Sequence, residues 1–260
     1  MGLIQNLKSY SENINLSSDK KELLNSFFEK GFPTIKDEEW KYTSLKKVIA
    51  NDYSIENKGE IVDALSIEKY SLGLENRIIF SDGKLINTPK IEGVSISGFS
   101  DFESRLENTI SALNSALSKN GFTITVAKNT IVNAPIEILF LNTASDNFSQ
   151  YRNLISVGEN AEIKFVERIQ NINNSSSFVN HFTQINCDKN TKVEYNKIQN
   201  NNPDTKLIDT VDVYQNQDST CNINTLIFGG SFTRNNLNFE QNYFYLKQDD
   251  KGLINFVMNN

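Results

Sequence analysis

Asn133-Ala134-Pro135-Ile136-Glu137-Ile138 opens a pattern that returns as Asn160-Ala161-Glu162-Ile163-Lys164-Phe165 and as Asn190-Thr191-Lys192-Val193-Glu194-Tyr195. A looser copy reads Asp218-Ser219-Thr220-Cys221-Asn222-Ile223. The leading Asn or Asp positions are 27, 30 and 28 residues apart. Each copy is a polar turn residue, a small residue, then alternating apolar and polar positions. Alternation at period two marks a strand with one buried face. A turn-then-strand unit at near-constant spacing marks a repeat architecture. One such unit cannot bury its apolar face alone, but stacked copies can. The spacing therefore predicts a parallel β-helix with coils about 4.8 Å apart. Sandwiches and barrels are the competing all-β folds. No Asn-Gly or Asp-Gly hairpin signal occurs in this half of the chain, which favours the solenoid.

Outward from this stretch, the strand text begins at Phe122 and continues through Tyr151–Val157, Phe178–Cys187, Leu207–Tyr214 and Cys221–Phe228. Asparagine is the compositional outlier, with 37 residues, most of them after residue 108. Asn tolerates left-handed turn geometry and forms side-chain ladders between stacked strands.

The N-terminal part reads differently. Residues 1–31 have helical spacing at Leu23, Leu24, Phe27 and Phe28, with Asp19 as a cap and Gly31 and Pro33 as stops. Thr34 or Asp37 begins a second short helix carrying Trp40, Leu45 and Val48. Arg77–Phe80 and Leu85–Ile86 read as strands joined by a turn at Ser81-Asp82-Gly83-Lys84, and Val94–Ser97 as another. Asp101–Lys119 reads as helix, with Leu106, Ile110, Leu113 and Leu117 on one face. The expected organisation is a mostly helical domain with a few short strands over 1–120, then a β-helix core over 121–260.

Charge and composition narrow the function. The chain of 260 residues carries a net charge of −6 and has a pI near 5.0. This argues against nucleic acid or an anionic membrane as partner, because both reward clustered Lys and Arg. Runs such as Ile138–Leu141 are too short to span a bilayer. The first residues lack the charged and apolar regions of a signal peptide, so the expected location is cytoplasmic. No phosphate-loop, Gly-x-Ser-x-Gly or His-Glu-x-x-His pattern is present.

Three residues invite a metal reading: Cys187, Cys221 and the single histidine, His181. Repeat alignment puts Cys221 at the position of Ile163 and Val193, and Cys187 at that of Val157. This predicts core packing. His181 sits in a strand with no Cys or paired carboxylates nearby in sequence, and a metal site needs several converging ligands. Its expected role is structural or solvent-facing. Glu137, Glu162 and Glu194 are dispersed among the repeats and read as solvated strand positions, which weakens a carbohydrate-active β-helix enzyme. No catalytic or cofactor-binding residue is assigned.

The string Pro33-Thr34-Ile35-Lys36-Asp37-Glu38-Glu39-Trp40-Lys41-Tyr42-Thr43 after an N-terminal helix resembles the SufD family of SUF iron–sulfur cluster assembly. Gly229-Gly230-Ser231-Phe232-Thr233-Arg234-Asn235-Asn236-Leu237 is similar to a second segment of that family, in the right order. In both, Pro33, Asp37, Glu38, Glu39, Trp40, Tyr42, Thr43, Gly229, Gly230, Arg234 and Asn235 are expected to be structural. The resemblance implies a right-handed parallel β-helix between helical ends. It also implies a non-catalytic scaffold that pairs with a SufB-like subunit and a SufC-like ABC ATPase and aids iron acquisition. An iron–sulfur cluster would be present transiently in the complex, not held stably by this chain. The paralogous SufB scaffold is the nearest alternative, and the Asp-Glu-Glu-Trp-Lys-Tyr-Thr string favours SufD. Members of the family continue through further coils, a Cys-x-His-Gly-Ala-Thr motif and a helical SufC-docking segment. None of these occurs before Asn260, so the chain is expected to be either a fragment or a shortened member, and no cluster-site residue is carried over.

Overall fold

The computed structural model describes residues 2–55, 59, 61–102, 108–172, 176–242, 244–248 and 254–258. Five α-helices lie among them: α1 (Leu3–Glu12), α2 (Ser18–Lys30), α3 (Lys46–Ile49), α4 (Ala64–Tyr70) and α5 (Thr109–Leu117). The first six strands are β1 (Asn76–Ser81), β2 (Lys84–Asn87), β3 (Val94–Gly98), β4 (Phe122–Val126), β5 (Ile136–Asn142) and β6 (Asn147–Val157). The next six are β7 (Glu162–Asn171), β8 (Ser177–Cys187), β9 (Lys192–Gln199), β10 (Thr205–Asn216), β11 (Thr220–Ile227) and β12 (Phe232–Asn242). A hairpin of β13 (Phe244–Gln248) and β14 (Ile254–Met258) follows.

From β5 to β12 the strands alternate between two facing sheets. One runs β2-β1-β5-β7-β9-β11 and the other β3-β4-β6-β8-β10-β12. All pairings among β5 to β12 are parallel, so each coil contributes one strand to each sheet and about four coils stack as a parallel β-helix. Val157 is level with Cys187, and Ile163 with Val193 and then Cys221, as the repeat alignment predicts. Both sheets also take in β1–β3 from before residue 120. The β1–β2 turn places Asp82 at φ 46° and Gly83 at φ 81°, the left-handed pair a two-residue hairpin needs.

The turns explain the asparagines. Asn129, Asn160, Asn190 and Asp218 have φ values of 60°, 60°, 54° and 59° at one corner of successive coils. The Asn160 amide donates to the Asn129 side-chain oxygen and the Asn190 amide to that of Asn160, each at 2.9 Å. This ladder corrects the register of the first copy. Asn129, not Asn133, is the turn residue under Asn160, and Ile136 lies beside Phe165 instead of Ile163. The first coil holds two extra residues around Pro135, between the Ile131–Glu162 bridge and β5.

Inside the solenoid, Ile138, Phe140, Tyr151, Ile155, Phe165, Ile185, Val193 and Val213 belong to one buried cluster. Helices α1, α2, α3 and α5 cover the outer face of the second sheet. Leu3, Leu7, Leu24, Phe27, Trp40, Leu113 and Leu117 pack on Phe148, Phe178 and Ile208, which point away from the interior. Residues 1–31 form two helices rather than one. The chain breaks at Asn13–Leu16, the Ser17 side chain caps α2, and Gly31 at φ 74° ends it. Asp19, the expected cap, lies in the first turn, where the helix dipole favours it. The expected second helix is a 3-10 turn at Glu38–Trp40 followed by α3. In the span expected to be helical at 101–119, α5 starts at the Asn108–Ser111 capping box; Leu106 lies outside the described residues.

Candidate functional site

Within the solenoid, side chains on alternate positions stack in columns. One column reads Ile138–Glu167–Lys197–Thr225, and the column facing it reads Tyr151–His181–Asp209–Asn235. Glu167 and Lys197 fall on the apolar beat of their strands, where Phe165, Ile169, Val193 and Tyr195 also point inward. Glu167, His181, Lys197 and Asp209 are all at most 1% exposed.

These charges pair across the interior. The Lys197 ammonium lies 3.0 Å from a Glu167 oxygen and 2.7 Å from an Asp209 oxygen. His181 Nδ1 is 3.2 Å from Asp209 Oδ1, and Nε2 is 3.0 Å from the Asn153 amide. The Phe140 ring meets the imidazole edge-on. Tyr195 donates its hydroxyl proton to Glu167 at 2.6 Å, and the Gln199 amide donates to Asp209 at 2.7 Å. Gln199 and Asn235 then exchange reciprocal amide bonds in the last coil. Burial alone would push the Asp209 carboxyl up, but the Lys197 ammonium and the His181 ring outweigh it and hold it at about 2. Burial would lower the Lys197 ammonium, but Asp209 and Glu167 raise it instead. Burial first, then the Glu167 charge, holds the Tyr195 hydroxyl well above its ordinary range.

His181 therefore has paired carboxylates beside it, contrary to the expectation from its own strand, and it does not face solvent. Neighbouring coils and the opposite sheet supply Glu167 and Asp209, which sequence proximity cannot reveal. The signal that would have found the cluster is a charged residue on the inward beat of a strand. Between the two carboxylates sits an ammonium, which already supplies the positive charge a cation would bring. Among the described residues, no three His, Cys, Asp or Glu side chains come together as a metal site. Sealed from solvent, the cluster is arranged to fix register, because slipping one coil on the next would leave a buried charge unpaired.

Glu137 is a further correction. It is fully buried under the chain entering β1, accepting from the Leu72 backbone at 2.7 Å and the Ser71 hydroxyl at 2.8 Å. Glu162 and Glu194 are partly exposed and pair with Lys192 and Lys164 of neighbouring coils.

The two quoted motifs meet. Arg234 points outward from β12, and its guanidinium lies 4.0 Å from the Trp40 ring centre, with Nη1 donating to the Thr43 hydroxyl at 3.2 Å. Asn235, the next residue, points inward to Gln199. One strand thus ties the N-terminal segment to the interior network. Burial lowers the Arg234 guanidinium, and the nearby Glu39 charge partly opposes this. Asp37 accepts from the Thr34 backbone at 2.6 Å and closes the turn before Trp40. A cavity of about 500 Å³ opens beside Trp40, lined in part by Lys30, Pro33, Asp37, Glu38, Glu39 and Ala112. Tyr42 is 92% exposed and takes no part in the joint. Gly230 has φ 93°, and a Cβ on Gly229 would fall 2.1 Å from the Asn201 carbonyl, so the glycine pair makes a tight corner.

Stacked coils with a helical cover and a motif joint between them define a β-helix protein built to hold its shape. Residues 140–247 match the SufBD core domain of SUF system FeS cluster assembly, and residues 5–76 match the SufBD protein N-terminal region. The chain belongs to the SufB/SufD family. It is 24% identical over 249 residues to the iron–sulfur cluster assembly protein SufD of Escherichia coli (strain K12), an alignment covering 89% of this chain and 57% of that relative. The chain thus spans little more than half the length of the curated relative it matches. No helix among the described residues is long and apolar enough to cross a membrane.

Proposed function

We propose that this chain is a SufD-like scaffold and interaction subunit of iron–sulfur cluster assembly, acting in the cytoplasm without catalysis of its own. In this reading it pairs with a SufB-like scaffold and, through the complex, with a SufC-like ATPase. Iron and the nascent cluster are cargo of the complex, and this chain aids their acquisition and assembly. The observation that carries the reading is the last coil. Among the described residues, nothing pairs with the outer edges of β11 and β12. Residues on their inward columns that should be buried are half-exposed: Ile227 51%, Leu237 47% and Phe239 45%. Leu226 and Phe228 add to the same apolar end. Open strand edges with apolar columns above them favour addition of another chain's strands.

The test is co-purification with the SufB-like and SufC-like proteins of the same source. Recovery of a complex is expected. Replacing Leu237→Lys and Phe239→Lys together should abolish recovery while circular dichroism stays unchanged. Equal recovery of wild type and variant would contradict docking at this edge.

A further inference from the structure

The two cysteines are not independent core residues. Cys187 ends β8, and the chain turns through Asp188–Thr191 into β9, so Cys187 and Val193 both point inward on either side of one corner. Cys221, the second residue of β11, lies directly over Val193, one coil further along. The register therefore places the two cysteines diagonally across the corner, on inward positions of adjacent coils within one buried cluster. Both are free thiols in the same buried cluster, Cys187 at 1% and Cys221 at 9% exposure. Cys221 lies in the last coil, under the open end, where Ile223 beside it is only partly buried.

We propose that Cys187 and Cys221 form a reversible redox site, closed to an intramolecular disulfide by a small peroxide, that clamps the last coil onto the one before it. The hydrogen bond from Cys221 favours the thiolate at Cys187, the required nucleophile; burial opposes it. Cys187 sulfur attacks one oxygen of hydrogen peroxide, the O–O bond breaks, and hydroxide leaves and is protonated to water. Cys187 is then a sulfenic acid. Cys221 sulfur attacks the sulfenic sulfur, the S–O bond breaks, and the departing hydroxide takes the Cys221 proton as a second water. Two thiols and one peroxide become one disulfide and two waters. The bond closes a loop of one whole coil, which restricts the unfolded chain and holds the docking edge in place.

The experiment treats the full native chain with hydrogen peroxide and measures intact mass and non-reduced peptide maps. Expected is a loss of two hydrogens, a crosslink joining the peptides of Cys187 and Cys221, full reversal by dithiothreitol, and a higher melting temperature for the oxidised form. The Cys221→Ser variant should instead leave Cys187 as a sulfenic acid, read as a gain of one oxygen in intact mass. Mapping the wild type needs no variant to fold. Overturning results are a crosslink only between two copies, overoxidation without a disulfide, or reaction only after denaturation. None of these bears on recovery of the SufB-like complex, so the two readings fail separately.

Discussion

The first and last coils of the solenoid carry the same alternating pattern and meet opposite fates. Every residue of β5 is buried: inward positions against Phe80 and Tyr151, outward Leu139 and Leu141 under Val62 and the α4 segment. In β11 only Cys221 is buried. The strands themselves are not the cause, since Phe140 and Ile227 stand at equivalent places three coils apart on the same inward column. What differs is the neighbour. β1 lies along one edge of β5, while nothing described lies beyond β11. An apolar residue on the inward beat is thus a commitment to a next layer, whoever supplies it.

That contrast can be broken at several points. The largest effect belongs to the interior between the two ends. Lys197→Met leaves Glu167 and Asp209 buried without their cation and should destabilise the chain by about 3–5 kcal/mol in urea unfolding. A change under about 1 kcal/mol would mean the cluster does not brace the coils. Next come two phenylalanines on opposite ends. Phe140→Ala removes a ring stacked on Phe80 at 4.7 Å between centres and should cost about 3–5 kcal/mol. Phe239→Ala, already half in water, should cost about 1 kcal/mol. Equal costs would show that the last coil is covered in the free chain. Acid sensitivity tests the same interior from the other side. Asp209 has a folded-state pKa of about 2 against an unfolded value near 3.9. Its contribution, about 2 kcal/mol, is fully present above pH ~4 and is lost as pH falls toward 2. Urea titrations from pH 5 to 2 should show this fall, and Asp209→Asn should flatten it.

The solenoid was legible because Asn160, Asn190 and Asp218 announce the same left-handed corner and the strands after them alternate cleanly. The first copy was misread because Asn133 imitates the turn residue that Asn129 is, and only the Asn160 hydrogen bond decides between them. The interior charges were hidden because their partners come from other coils. The sequence around His181 offers no carboxylate, yet the fold delivers one from 14 residues before and one from 28 after. The Trp40 and Arg234 motifs could be quoted as strings, but their contact depends on β12 facing the N-terminal helices, which no local pattern encodes. The thiol pair hid in the same way: repeat alignment correctly put each cysteine on an inward position but said nothing of the diagonal between them.

Amide hydrogen exchange of this chain, alone and mixed with the SufB-like scaffold, tests the central claim most directly. The account predicts slow exchange through β5 to β10 in both samples, with fast exchange along the outer edges of β11 and β12 in the free chain that slows sharply in the mixture. Protection appearing instead on α1 and α2, with β11 and β12 unchanged, would contradict it.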